Sequence, residues 1–395
     1  MPTPIARRTC YCEENLRDPL PFQRQLREAG PVVRLSKYGV YATARYEHVR
    51  AGLSQYDDLI SSAGVGLADL RQSTSFRDKS LLIEADPPAH TPRREVISKI
   101  LSPRALRAFG ESFSAAATRV VDELLQRDEL EGVTDLVQAY LLEVFIDAVG
   151  LDPDIKPLLL PWGDLIFNAG GPENDLYGEA MRKIAPHIQT LMAQTERRSL
   201  CEGGLGAAVF QAADDGLLPH EEAPRLMRSI LAAGVDTTVA GLSATLHSLA
   251  TAPGQWQVLR NDPRLVPMAF EEAIRLDSPV QTFYRTAVRR TDLAGTDIPA
   301  DAKLYLSVGG ANRDPRQFES PDSYDITRRV AGHVGFGWGI HQCVGQHLGR
   351  AEAASLLSVL VEKVEAIDLV GVPERRLNNT MRSWGSLPLR LAPAR

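Results

Sequence analysis

Ten residues near the C-terminal end, Phe336 to Gly345, read FGWGIHQCVG, and they limit what this chain can fold into more than any other stretch. They set Cys343 in a glycine-rich loop, with Phe336 before it and Gly345 two residues after. A helix-forming run, QHLGRAEAASLLSVLVEKV, follows at once. This arrangement suits a thiolate presented to a metal. Glycines let the backbone turn tightly and lie close to a flat ligand. The N-terminus of the following helix offers N–H groups and positive dipole, which favour a sulfur anion. Phe336 would shield the site from water. Two plainer readings compete. A lone cysteine is more often a small buried hydrophobe. His333, His341, Cys343 and His347 could instead form a zinc cluster, but zinc ligands usually come in paired short spacings, and His341-x-Cys343 is too tight.

A second unusual stretch lies upstream. Glu221 to Thr251 reads as one helix of roughly 30 residues, about 45 Å long. Its middle holds AAGVDTT, Ala232 to Thr238. A mid-helix glycine costs roughly 1 kcal/mol against alanine, and Asp and Thr compete with the backbone for hydrogen bonds. Gly234 alone would suggest a helix-packing notch; the acid–alcohol pair Asp236-Thr237 points to a functional kink. Glu272 and Arg275 sit three apart in FEEAIRLDSP, a spacing also common on solvated helix faces. His90, Arg94, Arg285 and His341 could each be an ordinary surface cation.

Taken together, these segments resemble the cytochrome P450 family, the haem-thiolate monooxygenases. Their cysteine loop, Phe-x-x-Gly-x-x-x-Cys-x-Gly, is matched by Phe336, Gly339, Cys343 and Gly345. The resemblance implies haem b with Cys343 as axial thiolate, a ligand that favours O–O cleavage. AAGVDTT is similar to the family's oxygen-activation segment. By that match Thr237 hydrogen-bonds dioxygen and holds a water, and Asp236 relays protons from solvent. Glu272, Arg275 and the later Arg328 match a buried structural network. His90, Arg94, Arg285 and His341 match positions that bind the two haem propionates, a task suited to Arg and His. No flavin or iron–sulfur motif appears, so electrons from NAD(P)H must arrive through a ferredoxin reductase and a small ferredoxin. The expected docking face surrounds Cys343, with Arg350 and the helix bearing Arg93.

Within the family, the chain looks most like bacterial enzymes that oxidise para-substituted benzoic acids, for example by O-demethylating 4-methoxybenzoate. Ser229, eight residues before Thr237, falls on nearly the same helix face, roughly 12 Å away, with Ala233 between. This pattern would hold a short rod-like acid end-on. Arg228 is expected on the opposite side, with a secondary, charge-compensating role. Val280, Phe283, Phe167 and Leu67 are the candidate apolar walls. Two positions depart from the pattern. Gly170 stands where an aromatic is expected, and Ala63 near an expected basic residue. The glycine would widen the pocket, so Gly170→Phe should tighten binding. The missing cation would need Arg228 or Arg71 to compensate. Competing readings are a hydroxylase of a fatty acid, terpene or macrolide, a peroxide-driven enzyme, and a haem-thiolate sensor without turnover. The Asp236-Thr237 pair argues against the last two.

The remaining features set bounds. The 395 residues carry no linker, repeat or low-complexity tract, and 44% are hydrophobic, so one domain over residues 1–395 is expected. The order of elements predicts a mainly α fold with small β-sheets near the two ends and a long central helix over the haem. A net charge of −6 argues against a general nucleic-acid binder. Cys10, Cys12, Cys201 and Cys343 make no disulfide framework. The N-terminus lacks a signal peptide's apolar stretch, and no run reaches the roughly 20 apolar residues of a membrane span. A soluble, cytoplasmic protein without membrane contact is expected.

Overall fold

The apolar positions of the central third recur at helical spacing, and the chain folds accordingly. The computed structural model describes residues 4–5, 10–72 and 78–394. Helices Gly110–Leu124, Ala139–Val149, Asp236–Thr251, Val266–Asp277 and Gln346–Lys363 pack into one large apolar core. Asp236–Thr251 is buried on nearly every face. A helix without a polar side belongs in the centre of a molecule.

Small sheets flank this body. The largest has six strands in the order Pro4–Ile5, Val33–Leu35, Val40–Thr43, Lys303–Ser307, Thr282–Ala287 and Leu59–Ile60. Thr282–Ala287 runs antiparallel to Lys303–Ser307, with Phe283 opposite Leu306 and Arg285 opposite Leu304. The two-residue period of a strand puts Phe283 and Arg285 on one face. A three-stranded sheet joins Val364–Leu369, Pro388–Pro393 and Leu130–Glu131.

Two expectations need correction. The stretch read as one helix is two, Ala223–Ala233 and Asp236–Thr251, interrupted at Gly234 and Val235. Facing the break, the Thr237 hydroxyl donates to the Ala233 carbonyl at 2.9 Å and Thr238 to that of Gly234 at 3.5 Å. Second, His220–Thr251 is long and apolar enough to cross a membrane by length and composition. Its most apolar window is 67% buried inside the molecule, as expected of a core helix.

Candidate active site

The cysteine loop is shaped by backbone geometry before any ligand is considered. The Cys343 N–H donates to the Phe336 carbonyl at 2.7 Å, closing the loop. Gly337 and Gly339 take φ of 72° and 71°, a left-handed conformation that disfavours a side chain. A Cβ on Gly339 would also lie 3.0 Å from the Leu53 carbonyl. The Cys343 sulfur receives the N–H groups of Gly345 and Gln346, where helix Gln346–Lys363 starts. Burial pushes its thiol up, against these N–H groups and the charges of Arg94 and Arg350. Nothing in the polypeptide demands glycine at 345: its φ is −83°, and a Cβ there would meet only Cys343 Sγ at 4.0 Å. Leaving that side chain out keeps the space beside the sulfur clear.

A second layer fixes the loop. Arg350 lies 4.5 Å over the Phe336 ring and pairs with Glu271 at 2.6 Å. His333 Nε2 donates to Glu271 at 2.9 Å while Nδ1 accepts from the Gly335 N–H at 3.1 Å, so its nitrogens are committed and it is no zinc ligand. The expected Glu272–Arg275 pair is fully buried, with contacts of 2.7 and 2.8 Å. Arg328 reaches Glu272 at 3.0 Å. Arg275 also donates to the carbonyls of Asn312 and Pro321, both at 2.8 Å, which ties the segment leading to the cysteine loop.

Four cationic or imidazole groups gather near Cys343. His90 and His341 have ring centroids 4.6 Å apart; among the described residues Nε2 of His90 is buried without a hydrogen-bond partner, and Nε2 of His341 lies 3.8 Å from Asp86 Oδ1. Burial, then the neighbouring His341 and Arg94, lower His90 to about 4. The buried Arg285 donates to the Tyr284 carbonyl at 2.9 Å, and Arg94 is half-buried; neither has a carboxylate within 4 Å among the described residues. Buried cations are normally paired. These four, around a buried thiol, fit a dianionic group bound there.

On the opposite side stands the helix break. A Cβ on Gly234 would overlap the Phe145 ring, so glycine is needed for close packing. Asp236 is 2% exposed, with Oδ1 3.1 Å from Arg376 and Oδ2 without a hydrogen-bond partner among the described residues. Burial raises it to about 6, and Arg376 lowers it in part. Gly163 of helix Lys156–Asn168 makes the room, since a Cβ there would sit 2.5 Å from Oδ2. Neither Arg376 nor Gly163 stood out in the sequence.

A cavity of about 540 Å³ adjoins this break. Ser229, Ala233, Val280, Phe283 and Phe167 line it, and so does Arg228. Arg228 does so against the expectation that it faces away, and it pairs with Asp78 at 3.0 Å. Sequence reasoning missed Ser80, whose hydroxyl meets that of Ser229 at 2.9 Å, and Arg225, which also lines the cavity.

Several expectations fail here. Leu67 is no wall residue. With its N–H on the Gly170 carbonyl (3.0 Å), its side chain packs against the apolar cluster around Phe22 and Leu26. Arg71 pairs with Asp69 at 2.6 Å and Asp301 at 2.8 Å, so it spends its charge outside the cavity. Gly170 does line the cavity, but a Cβ there would lie 2.9 Å from Thr380 Cγ2, so a phenylalanine must first displace Thr380. Arg93 pairs with Glu222, and Arg350, whose side chain is 35% exposed, pairs with Glu271.

A thiol at a helix N-terminus, Arg94 and Arg285 beside it without a carboxylate among the described residues, and a kinked core helix opposite together suit haem, whose iron accepts the thiolate and whose propionates answer the cations. The description "Cytochrome P450" matches residues 124–387, and the chain belongs to the cytochrome P450 family. Cytochrome P450 CYP199A2 of Rhodopseudomonas palustris is 48% identical over 378 residues, 95% of this chain and 92% of that one. Cytochrome P450 144 of Mycobacterium tuberculosis is 30% identical over 381 residues, 92% and 87% of the two chains. The solved structure of CYP109Q5 from Chondromyces apiculatus superposes with a TM-score of 0.83 at 26% identity, covering both chains completely. The protein is a cytochrome P450 monooxygenase carrying haem b, and it uses O2 with electrons from redox partners.

Proposed function

We propose that this monooxygenase oxidises a small aromatic acid, with O-demethylation of 4-methoxybenzoate as the specific reaction. The carrying observation is the polar end of the cavity: the Ser80 and Ser229 hydroxyls 2.9 Å apart, with Arg225 beside them. Val280, Phe283 and Phe167 supply the apolar remainder. A few polar groups that orient a ligand on apolar walls suit an aryl carboxylate.

The haem held by Cys343 supplies O2 binding and cleavage, helped by the electron-rich thiolate. His90, Arg94, Arg285 and His341 would hold its propionates. The other steps belong to the chain. Ser80, Ser229 and Arg225 hold the carboxylate so that the para substituent points along helix Ala223–Ala233 toward the break. Thr237 presents its hydroxyl at that break. Arg376 pins one oxygen of Asp236 and leaves the other to carry a proton inward. The Arg376 side chain is 30% exposed, so the pair runs from solvent to interior. Demethylation consumes O2, two electrons and two protons, and releases formaldehyde, water and the phenol.

The electron donor is proposed to be a ferredoxin served by an NAD(P)H-dependent reductase. It would dock on the face around Cys343, which Arg93 and Arg350 shape from within. The reading takes the enzyme as soluble and cytoplasmic, in keeping with the burial of its apolar helix. Reconstitution with reductase, ferredoxin and NADH tests it. Equal amounts of 4-hydroxybenzoate and formaldehyde are expected, with 4-methoxybenzamide turned over far more slowly. Turnover of neutral lipophiles with none of the acid would contradict it and favour the fatty acid, terpene or macrolide reading.

A further inference from the structure

One wall of the cavity is a turn with almost no side chains, made by Gly64, Val65 and Gly66. Gly64 has φ of 100°, and a Cβ on Gly66 would lie 2.8 Å from the Gly170 carbonyl, so the two backbones touch. Such a turn has little packing of its own to hold it. The structure supplies a cation instead. Lys303, at the start of strand Lys303–Ser307, is 8% exposed. Its ammonium lies 3.3, 2.8 and 3.0 Å from the carbonyl oxygens of Ala63, Gly64 and Gly66.

Lysine is almost never this buried unless paired. Here no carboxylate lies within 4 Å among the described residues; three carbonyls do the work. An ammonium has three donors. All three are spent on the turn, so none remains for a ligand. The basic group expected near Ala63 is thus present in space, supplied by another strand, and it acts on the backbone. Further ties run alongside: the Tyr284 N–H donates to the Val65 carbonyl at 2.9 Å, and Leu67 to that of Gly170 at 3.0 Å.

We propose that Lys303 is a positioning residue for substrate: its ammonium pins the Ala63–Gly66 turn against Gly170 and so fixes that wall of the cavity. This rests on the cavity being the substrate site, whatever the substrate. Burial also lowers Lys303 to about 8; Asp69 and Glu84 push it up and Arg71 and Arg285 push it down. Loss of a proton leaves two donors for three carbonyls. The wall loosens as pH rises through that range, and ligand affinity falls.

The test binds two probes to the ferric holoenzyme and follows the Soret band. One is 4-methoxybenzoate. The other is 4-phenylimidazole, which ligates the iron through nitrogen and needs no acid site. Wild-type Kd for each bound probe should rise about 5-fold from about pH 7 to about pH 9.5, the value of a hydrogen bond to a charged group in part expressed as affinity. Lys303→Met should bind weakly at both pH values. Lys303→Arg, charged throughout, should bind tightly at both. Failure of 4-methoxybenzoate alone would contradict the aromatic-acid reading while 4-phenylimidazole still reports on Lys303. The inference is overturned if wild-type affinity for 4-phenylimidazole is flat with pH, or if Lys303→Met with full haem content binds it like wild type. Should Lys303→Met fail to take up haem, the wild-type and Lys303→Arg profiles decide.

Discussion

Asp236 keeps one oxygen on Arg376 and the other without a hydrogen-bond partner among the described residues, in a buried setting that lifts it to about 6. Removing its proton-carrying group, as in Asp236→Asn, should slow product formation by about 100-fold, the usual scale of general acid–base catalysis. Arg376 is the influence that lowers Asp236, so Arg376→Gln should move its titration upward; the carboxyl infrared band measured against pH reports this directly. A fall instead would mean Arg376 is not its partner. Thr237→Ala should divert reducing equivalents into peroxide, measured as hydrogen peroxide per NADH. The acid and the alcohol were legible because both sit badly in a helix centre. Arg376 was not, because it lies 140 residues away on strand Glu374–Arg376, and only folding brings it to the break. Ser80 escaped notice likewise: a serine in a loop carries no signal until its hydroxyl meets that of Ser229.

At the scale of elements, close approach governs the site. Helix Lys156–Asn168 crosses Asp236–Thr251 where Gly163 leaves space for a carboxylate. Gly163→Ala should therefore displace Asp236, reducing product per NADH while the haem spectrum stays normal. Gly234→Ala meets the Phe145 ring and should act differently, costing roughly 1–3 kcal/mol of stability as overpacking does; chemical denaturation checks this. The Glu272–Arg275 pair holds the approach to the cysteine loop. Glu272→Ala leaves a buried guanidinium unpaired, a loss of about 3–5 kcal/mol. It should yield protein with little haem, read as haem per polypeptide, rather than a slow enzyme. The Asp236-Thr237 pair pointed to a kink within Ala232 to Thr238 but not to a break at Gly234 and Val235 that splits the helix in two. Periodicity continues across the break, and only the Ala233 and Gly234 carbonyls, turned to threonine hydroxyls, reveal it. The two-residue strand Leu130–Glu131 was invisible for a simpler reason. So short a segment has no period of its own and exists only because Pro388–Pro393 pairs with it.

For the molecule as a whole, the mainly helical architecture was legible because the motifs come in a fixed order, and the order fixes their places around one core. The cavity lining was legible in part: residues on helix Ala223–Ala233 and strand Thr282–Ala287 follow regular periods, whereas Leu67 lies in an irregular loop whose side-chain direction no period dictates. The anchoring of the cysteine loop also links folding to pH. Burial raises the Glu271 carboxyl, but hydrogen bonds from His333 and Arg350 outweigh this and hold it at about 2, against 4.5 unperturbed. A depressed carboxylate stabilises the fold above its unfolded pKa, and that contribution fades as pH falls from about 4.5 to about 2. It amounts to about 3 kcal/mol at neutral pH. Glu271→Gln should lose most of this at pH 7 and differ little from wild type near pH 2, measured as denaturation midpoints.

The proposed function requires a cysteine-ligated haem that faces a cavity fitted to an aromatic acid. Titration of the ferric protein with 4-methoxybenzoate, followed in the Soret band, tests both halves at once. A saturable move to the high-spin position, weakened in Ser229→Ala, is the predicted result. A normal haem-thiolate spectrum that the acid leaves unchanged, while neutral lipophiles shift it, would contradict that function.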